Sequence, residues 1–446
     1  MKSYPLYQDT GIKWLGRIPN SWCVKRIKHN TYVKGRVGWQ GLNSNEFGSF
    51  GPCLVTGTDF KNGRIDWETC YHVSIERYDE DPFIQLQNQD LLITKDGTIG
   101  KVAIVENLKG HATLNSGVFV SRPLNNDYIT PYLYWLLNSN VFNLYIDYTK
   151  TGSTVQHLYQ ATFVEFSFPV PSIPEQQAIA DYLDRKTAQI DTLIAKKQRQ
   201  IELLQEQRTA IINQAVTKGL DPSVSMKDSG IVWLGELPSH WEISKLKRVA
   251  DVIDGDRSTE YPNERDFVET GIPFLSSKNI IDNELDYSHL NHISKEKFDR
   301  LGNGKLVKGD IVVTVRGTIG NVGHFDGKNY ETAFINAQMM LLRPKIGIES
   351  SFLYYLARSN FWFSQLDYFS YGAAQQQLSN VILRNITIPL PSLSEQSSIV
   401  NFLELKTAQI DKQIQRIRQS IFFLGEYRTS LISEAVTGKI DIRGES

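Results

Sequence analysis

Apolar side chains recur between residues 190 and 215 at alternating steps of four and three. They are Ile190, Ile194, Ile201, Leu204, Ile211 and Ala215, with Lys197 and Arg208 in the two polar places. The same rhythm returns at Ile410, Ile414, Ile417, Ile421, Leu424, Leu431 and Ala435, with Arg428 in the place of Arg208. Such spacing keeps a narrow apolar stripe on one helix face and predicts a coiled-coil seam between two helices, which are taken to lie antiparallel. Each stretch opens on an S-x-x-E capping box, Ser172 to Glu175 and Ser392 to Glu395, and no proline or glycine follows the first box until Gly219. A helix of about 40 residues is roughly 60 Å long, more than a compact domain needs, and its expected job is to hold other parts apart.

Elsewhere the period is shorter. "DLLITKDGTIGKVAIV" and "DIVVTVRGTIGNVGHF" are each two β-rich runs around a glycine turn, which predicts a hairpin. "TPYLYWLLNSNVFNLYI" and "SSFLYYLARSNFWFSQL" follow as amphipathic helical stretches.

These paired segments belong to one internal repeat. A shift of 219 sets Gly11, Trp14, Gly16, Pro19 and Trp22 on Gly230, Trp233, Gly235, Pro238 and Trp241; a shift of 220 matches the later segments, down to the identical "KTAQID". Two copies make a duplicated module, not a solenoid. The expected fold is α+β: two similar mixed domains in tandem, residues 1–171 and 220–391, each followed by a long helix, residues 172–219 and 392–446. Between Thr31 and Asp66, and between Asp251 and Asp286, the copies diverge although their flanks agree, so the scaffold is shared and the reading surface differs.

Composition narrows the class. A chain of 446 residues, 41% hydrophobic and 22% charged, is globular and long enough for two or three domains. No apolar run spans a bilayer and the opening lacks the form of a signal peptide, so a cytoplasmic protein without membrane contact is expected. Cys23, Cys53 and Cys70 form no C-x-x-C pair and have no matching histidines, which leaves no metal site or disulfide frame. The net charge of -1 does not decide for or against nucleic acid.

Fragments similar to catalytic motifs fail on inspection. "GTIGK" has Lys95 and Val102 where a phosphate loop needs glycine and serine or threonine, and its copy has Asn321 for Lys101. "DPFI" at Asp81 lacks a second proline and any nearby glycine-rich cofactor loop. "ELK" at Glu404 lies on the long helix, and eight histidines form no nucleophile constellation. No catalytic residue is assigned.

Features suited to DNA sit at matching places in the copies. Lys25, Arg26, Lys28, Lys34 and Arg36 fall in a run with no acid, followed by Trp39 and Gln40 in a glycine-rich stretch, and this suits a phosphate-facing edge. "TGSTVQHLY" and "YGAAQQQLS" put Gln156, or Gln375 and Gln376, just past a glycine, and glutamine can pair with both N6 and N7 of adenine. A polar helix cap is the competing reading. Candidate DNA contacts are therefore Lys34, Arg36, Trp39, Gln40, Thr98, Lys101, Ser153, Gln156 and His157 in the first half, and Arg257, Lys278, Arg316, Thr318, Gln375 and Gln376 in the second.

The paired leads "YQDTGIKWLGRIPNSW" and "MKDSGIVWLGELPSHW", the "GTIG" turns and above all "PSIPEQQAIADYLDRKTAQIDTLIAKKQRQIELLQEQRTAIINQAVTKG" resemble the specificity subunit of type I restriction-modification enzymes, over essentially the whole chain. That resemblance implies two target recognition domains, each reading half of a bipartite DNA sequence, spaced by the long helices. It also implies partners: two methyltransferase subunits carrying S-adenosylmethionine, and restriction subunits using ATP and magnesium. No cofactor or catalysis is implied for this chain itself. "SLSEQSSIV" departs from the first copy at Ser394, Ser397 and Ser398, which bears on the second partner contact. A coiled-coil adaptor without DNA, and a free-standing methyltransferase or nuclease, are the alternatives. Divergence of two otherwise matched domains weighs against the former, and absence of a cofactor loop against the latter.

Overall fold

The computed structural model describes residues 3–36, 42–149, 157–370 and 378–444. Two compact units result, Met1–Gln198 with Arg418–Ser446, and Arg199–Ile417.

In the first unit the strands Thr31–Gly35, Val118–Pro123, Leu91–Thr94, Val102–Ile104, Arg64–Ile65 and Phe60–Lys61 lie in that order in one sheet. The predicted hairpin is its centre, with Val102 opposite Ile93 and Ile104 opposite Leu91. Every residue of Leu91–Thr94 is buried, so both faces of the sheet are covered. A three-stranded sheet, Ala112–Leu114, Gly48–Val55 and Tyr71–His72, packs beside it. The second unit repeats the plan with a four-stranded sheet, Ala250–Asp254, Met339–Pro344, Asp310–Thr314 and Val322–Phe325. Its neighbouring five-stranded sheet repeats the three-stranded one as Ala333–Ile335, Ile272–Leu275 and Asn291–Ile293, and is extended by the short strands Phe267–Val268 and Lys305–Leu306.

Each amphipathic stretch is two helices, Thr130–Leu137 with Asn140–Thr149, and Ser350–Ala357 with Asn360–Ser370. A buried serine makes each break. Ser139 and Ser359 donate their hydroxyls to the carbonyls of Leu136 and Leu356 at 2.6 Å, and they accept from the amides of Val141 and Trp362. This local bonding competes with the helix ladder and ends it.

The long helices run Ile173–Lys218 and Leu393–Val436. In the first unit Arg428 of the second helix donates from Nε to Asp191 of the first at 2.9 Å; in the second unit Arg208 of the first donates to Asp411 of the second at 2.8 Å. Residue numbers add to 619 in each pair, so numbering falls on one helix as it rises on the other, and the helices are antiparallel. Along the seam Ile190, Ile201, Ile410, Ile414 and Leu431 are buried, and Ile194, Leu204, Ile211, Ile417, Ile421 and Leu424 are half-buried. Lys196, Gln200, Gln207, Arg416 and Gln419 face solvent.

The second capping box forms by half. Glu395 donates its amide to the Ser392 hydroxyl at 3.3 Å, but its carboxylate accepts from Trp241 Nε1 at 2.9 Å and lies 3.1 Å from His240 Nε2. Glu175 likewise accepts from the Tyr4 hydroxyl at 2.6 Å. Each glutamate ties the start of its domain, at Tyr4 or at His240 and Trp241, to a helix start instead of closing its own cap. The adjacent glutamines, Gln176 and Gln396, are fully buried; Gln176 accepts from the Ile129 amide and donates to the Asp127 and Pro171 carbonyls, all at 2.9 Å.

One half-buried histidine of the second domain has no counterpart in the first. His324, where the first copy has Ile104, sets Nε2 2.8 Å from Ser350 Oγ, and its ring stacks on Tyr354. Burial holds its pKa below the ordinary histidine value, against the pull of Asp326. The unfolded chain then binds the proton more readily, so this group's stabilising contribution is present above about pH 6.5 and lost as pH falls. His324→Ile is expected to give a shallower fall in thermal midpoint than the parent between about pH 7.5 and 5.5. Equal slopes in scanning calorimetry would contradict the assignment.

Candidate nucleic-acid interface

Several of the predicted site residues lie on or against a turn at one end of each main sheet. In the first unit the turn Lys95–Gly100 joins the hairpin strands there, and three bonds define its shape. The Thr94 hydroxyl donates to the Thr98 carbonyl, the Lys101 amide donates back to that hydroxyl at 3.0 Å, and the Gly100 amide donates to the Thr94 carbonyl at 2.9 Å. Thr314, Thr318, Asn321 and Gly320 make the same set in the second unit. Gly100 and Gly320 have φ of +79° and +86°, and a Cβ there would meet Phe142 at 3.2 Å or Leu366 at 2.6 Å. These glycines let the turn lie against the helix beneath it. Gly97 and Gly317, φ +68° and +74°, have nothing within 4 Å of a Cβ, so the tip is open.

Other segments dock on the turn. Lys95 donates its amide to Gly117 and accepts from the Leu158 amide, both at 2.9 Å. Val315 donates to Gln338 at 3.0 Å and accepts from Leu378 at 3.1 Å. Thr98 and Lys101 are exposed here, and the Lys101 ammonium donates to the Gly57 carbonyl at 3.2 Å. His157 contacts Asp96 through Nδ1, and its ring lies 4.5 Å from that of exposed Tyr159. In the second unit Arg316 and Thr318 occupy the turn, Lys278 is exposed in the short helical turn that matches Gly57–Asp59, and Arg257 is exposed with Nη2 3.4 Å from the Ala337 carbonyl. Trp39, Gln40, Ser153, Gln156, Gln375 and Gln376 lie outside the described residues.

The basic run of the first domain is arranged differently from a phosphate-facing edge. Arg36 is buried, donating from Nε to the Leu114 carbonyl at 2.9 Å and from Nη2 to Thr113 at 3.2 Å. Burial, reinforced by Arg77, holds its pKa below the usual arginine range. Lys25 pairs with Asp127, and Arg26 and Lys28 share Glu165 at 2.9 and 3.3 Å. Lys34 alone of the five is exposed and in no ion pair among the described residues, its ammonium 5.8 Å over Phe83. Acids distant in sequence neutralise what the local run leaves positive.

Two residues of the edge escaped the sequence reading. Lys95, half-buried with its ammonium over Phe119, has its pKa lowered by burial. Asp96 stands where the second copy has the candidate Arg316, and the repeat alignment was the signal that could have found it. Among the described residues no group of three or more metal-ligating side chains could hold an ion, and no helix is long and apolar enough to cross a membrane.

Two mixed domains on one plan, with matched turns at equivalent sheet ends and a pair of long antiparallel helices, define a duplicated recognition scaffold. The type I restriction modification DNA specificity domain family matches residues 42–203 and 238–419, and the chain belongs to it. It is 25% identical over 433 residues to the type I restriction enzyme MjaVIII specificity subunit of Methanocaldococcus jannaschii, covering 96% of this chain and 95% of that one. To the EcoBI specificity subunit of Escherichia coli it is 27% identical over 308 residues, 66% of this chain and 63% of the other. The fold matches a chain solved in work on assembly and conformational transition of the type I R-M system, with a TM-score of 0.73 and 16% identity over 95% and 99% of the two chains. It also matches the HsdS subunit from Thermoanaerobacter tengcongensis, with a TM-score of 0.52 and 17% identity over 95% and 98%.

Proposed function

We propose that each mixed domain reads one half of a bipartite DNA target through its turn-bearing sheet end, and that the helix pair sets the unread gap and docks two methyltransferase subunits. The observation that carries this reading is one scaffold built twice with different side chains at the same open edge. Lys34, Thr98, Lys101 and His157, and Arg257, Lys278, Arg316 and Thr318, are the described candidates that would meet phosphates and base edges. Chemistry belongs to the partners: methyltransferase subunits with S-adenosylmethionine modify adenine, and restriction subunits with ATP and magnesium cut. Half-site centres about one DNA turn, roughly 34 Å, apart suit domains reading successive major grooves.

Adding one heptad to each helix, after Leu204 and after Leu424, keeps the seam in register and lengthens it by about 10 Å. In cells expressing the lengthened chain with its methyltransferase partner, sequencing of methylated adenines is expected to return the same half-sites. The gap between them should be wider by at most about three base pairs. An active complex that kept its original gap would remove the helices as the ruler; an unmodified genome with the parent chain would count against DNA recognition itself.

A further inference from the structure

We infer that position 96 and its repeat equivalent 316 read bases of opposite hydrogen-bonding character, Asp96 a base that presents an amino group and Arg316 a guanine. The inference rests on the reading of the turn-bearing edge as the DNA-facing one.

The two turns are one structure. Thr94 and Thr314 pin the same carbonyl, the tip glycines share a left-handed φ, and the segments around Leu158 and Leu378 dock by the same backbone bond. Within "DGTIG" and "RGTIG" only the first residue differs, so geometry is held while charge is reversed. Both positions are exposed next to a tip with no neighbouring atoms within reach of a Cβ. In the major groove a carboxylate can only accept, which suits the amino groups of adenine or cytosine, whereas a guanidinium only donates, which suits O6 and N7 of guanine. Each choice also rejects the other base, because acceptor would face acceptor or donor would face donor.

Asp96 is held ready for that task. Its Oδ1 meets His157 Nδ1, which restrains the side chain, while half of it stays open to solvent. His157 comes from a segment 61 residues away that docks on the turn through Leu158, so the orientation is set by the fold and not by the turn alone. A charge needed only for solubility at a turn tip has no use for such a brace.

The test uses the full chain expressed with its methyltransferase subunits, with methylated adenines mapped across the host genome. Arg316→Ala is expected to relax the preference for guanine at one position of one half-site by about tenfold or more, with the other half-site unchanged. Asp96→Ala should relax an adenine or cytosine position in the other half-site only. The untouched half in each variant reports that the protein is folded and the complex assembled. Unchanged motifs in both variants, relaxation of the same half by both, or loss of all methylation by a complex that still assembles would each overturn the inference; the last would make the residue a support of the turn. If the parent chain yields no bipartite motif, the DNA reading fails instead, whatever the variants do.

Discussion

Replacing residues 31–165 with the matching domain of a relative is expected to exchange one half of the methylated motif completely and leave the other half and the gap as they were. The physical ground is that each unit carries its own sheets and its own buried core, so a foreign domain needs only to match the flanking elements. Those flanks are specific. Trp14 Nε1 donates to the Ser167 carbonyl at 3.1 Å, Cys23–Arg26 pairs with Ser167–Val170, and Gln176 takes the Ile129 amide, so the graft must keep hydrogen-bonding partners at its ends. Mapping methylated adenines decides the outcome. If both halves of the motif changed together, one domain per half-site would be wrong.

The largest effect on stability is expected at a pair that the two domains share. Arg343 donates to Asp310 from Nε and Nη2 at 2.9 and 2.7 Å, and Asp310 also accepts from the Val307 amide at 2.9 Å. Arg122 and Asp90 repeat this pairing in the first unit. The partners differ in exposure: the Asp310 side chain is 1% accessible and that of Arg343 37%. Truncating the arginine leaves a buried carboxylate without its counter-charge, which costs about 3–5 kcal/mol. Truncating the aspartate costs less, since the guanidinium can turn toward water. Arg343→Ala should therefore speed amide exchange in Asp310–Thr314 by about a hundredfold or more at 25 °C, and Asp310→Ala by clearly less. A milder effect of Arg343→Ala than of Asp310→Ala would show that the carboxylate reaches solvent. The double variant Asp310→Leu with Arg343→Met should recover most of the loss, because it leaves no charge buried.

What could be read from the sequence and what could not divide along physical lines. The seam from Ile190 to Ala215, the "GTIG" hairpins and the repeat are local or periodic, and local patterns survive folding because they dictate which face each element buries. Charges behave otherwise. Lys25, Arg26 and Lys28 look unpaired in their own window, yet Asp127 and Glu165 reach them from more than a hundred residues onward. Arg36 continues the same run and ends inside the domain, hydrogen-bonded to Thr113 and Leu114. Asp96 could be aligned with Arg316 from sequence, but its contact with His157 could not be. Pairings between distant segments are set by topology, which spacing along the chain does not report.

The first unit is assembled from both ends of the numbering, and this inverts the order of completion during synthesis. Gly438, φ +68°, lies where a Cβ would strike Pro19 at 2.4 Å, and its carbonyl accepts from the Tyr7 hydroxyl at 2.9 Å. Leu431, Ile432, Ala435 and Val436 belong to the same core as Trp22 and Tyr132. The residues translated first thus wait with part of their core open, while residues 199–417 form a continuous stretch that can fold as it emerges. Nascent recognition domains are therefore not equivalent: the later one closes first, and the earlier one depends on loop closure over more than 400 residues, the slowest class of contact a chain can make.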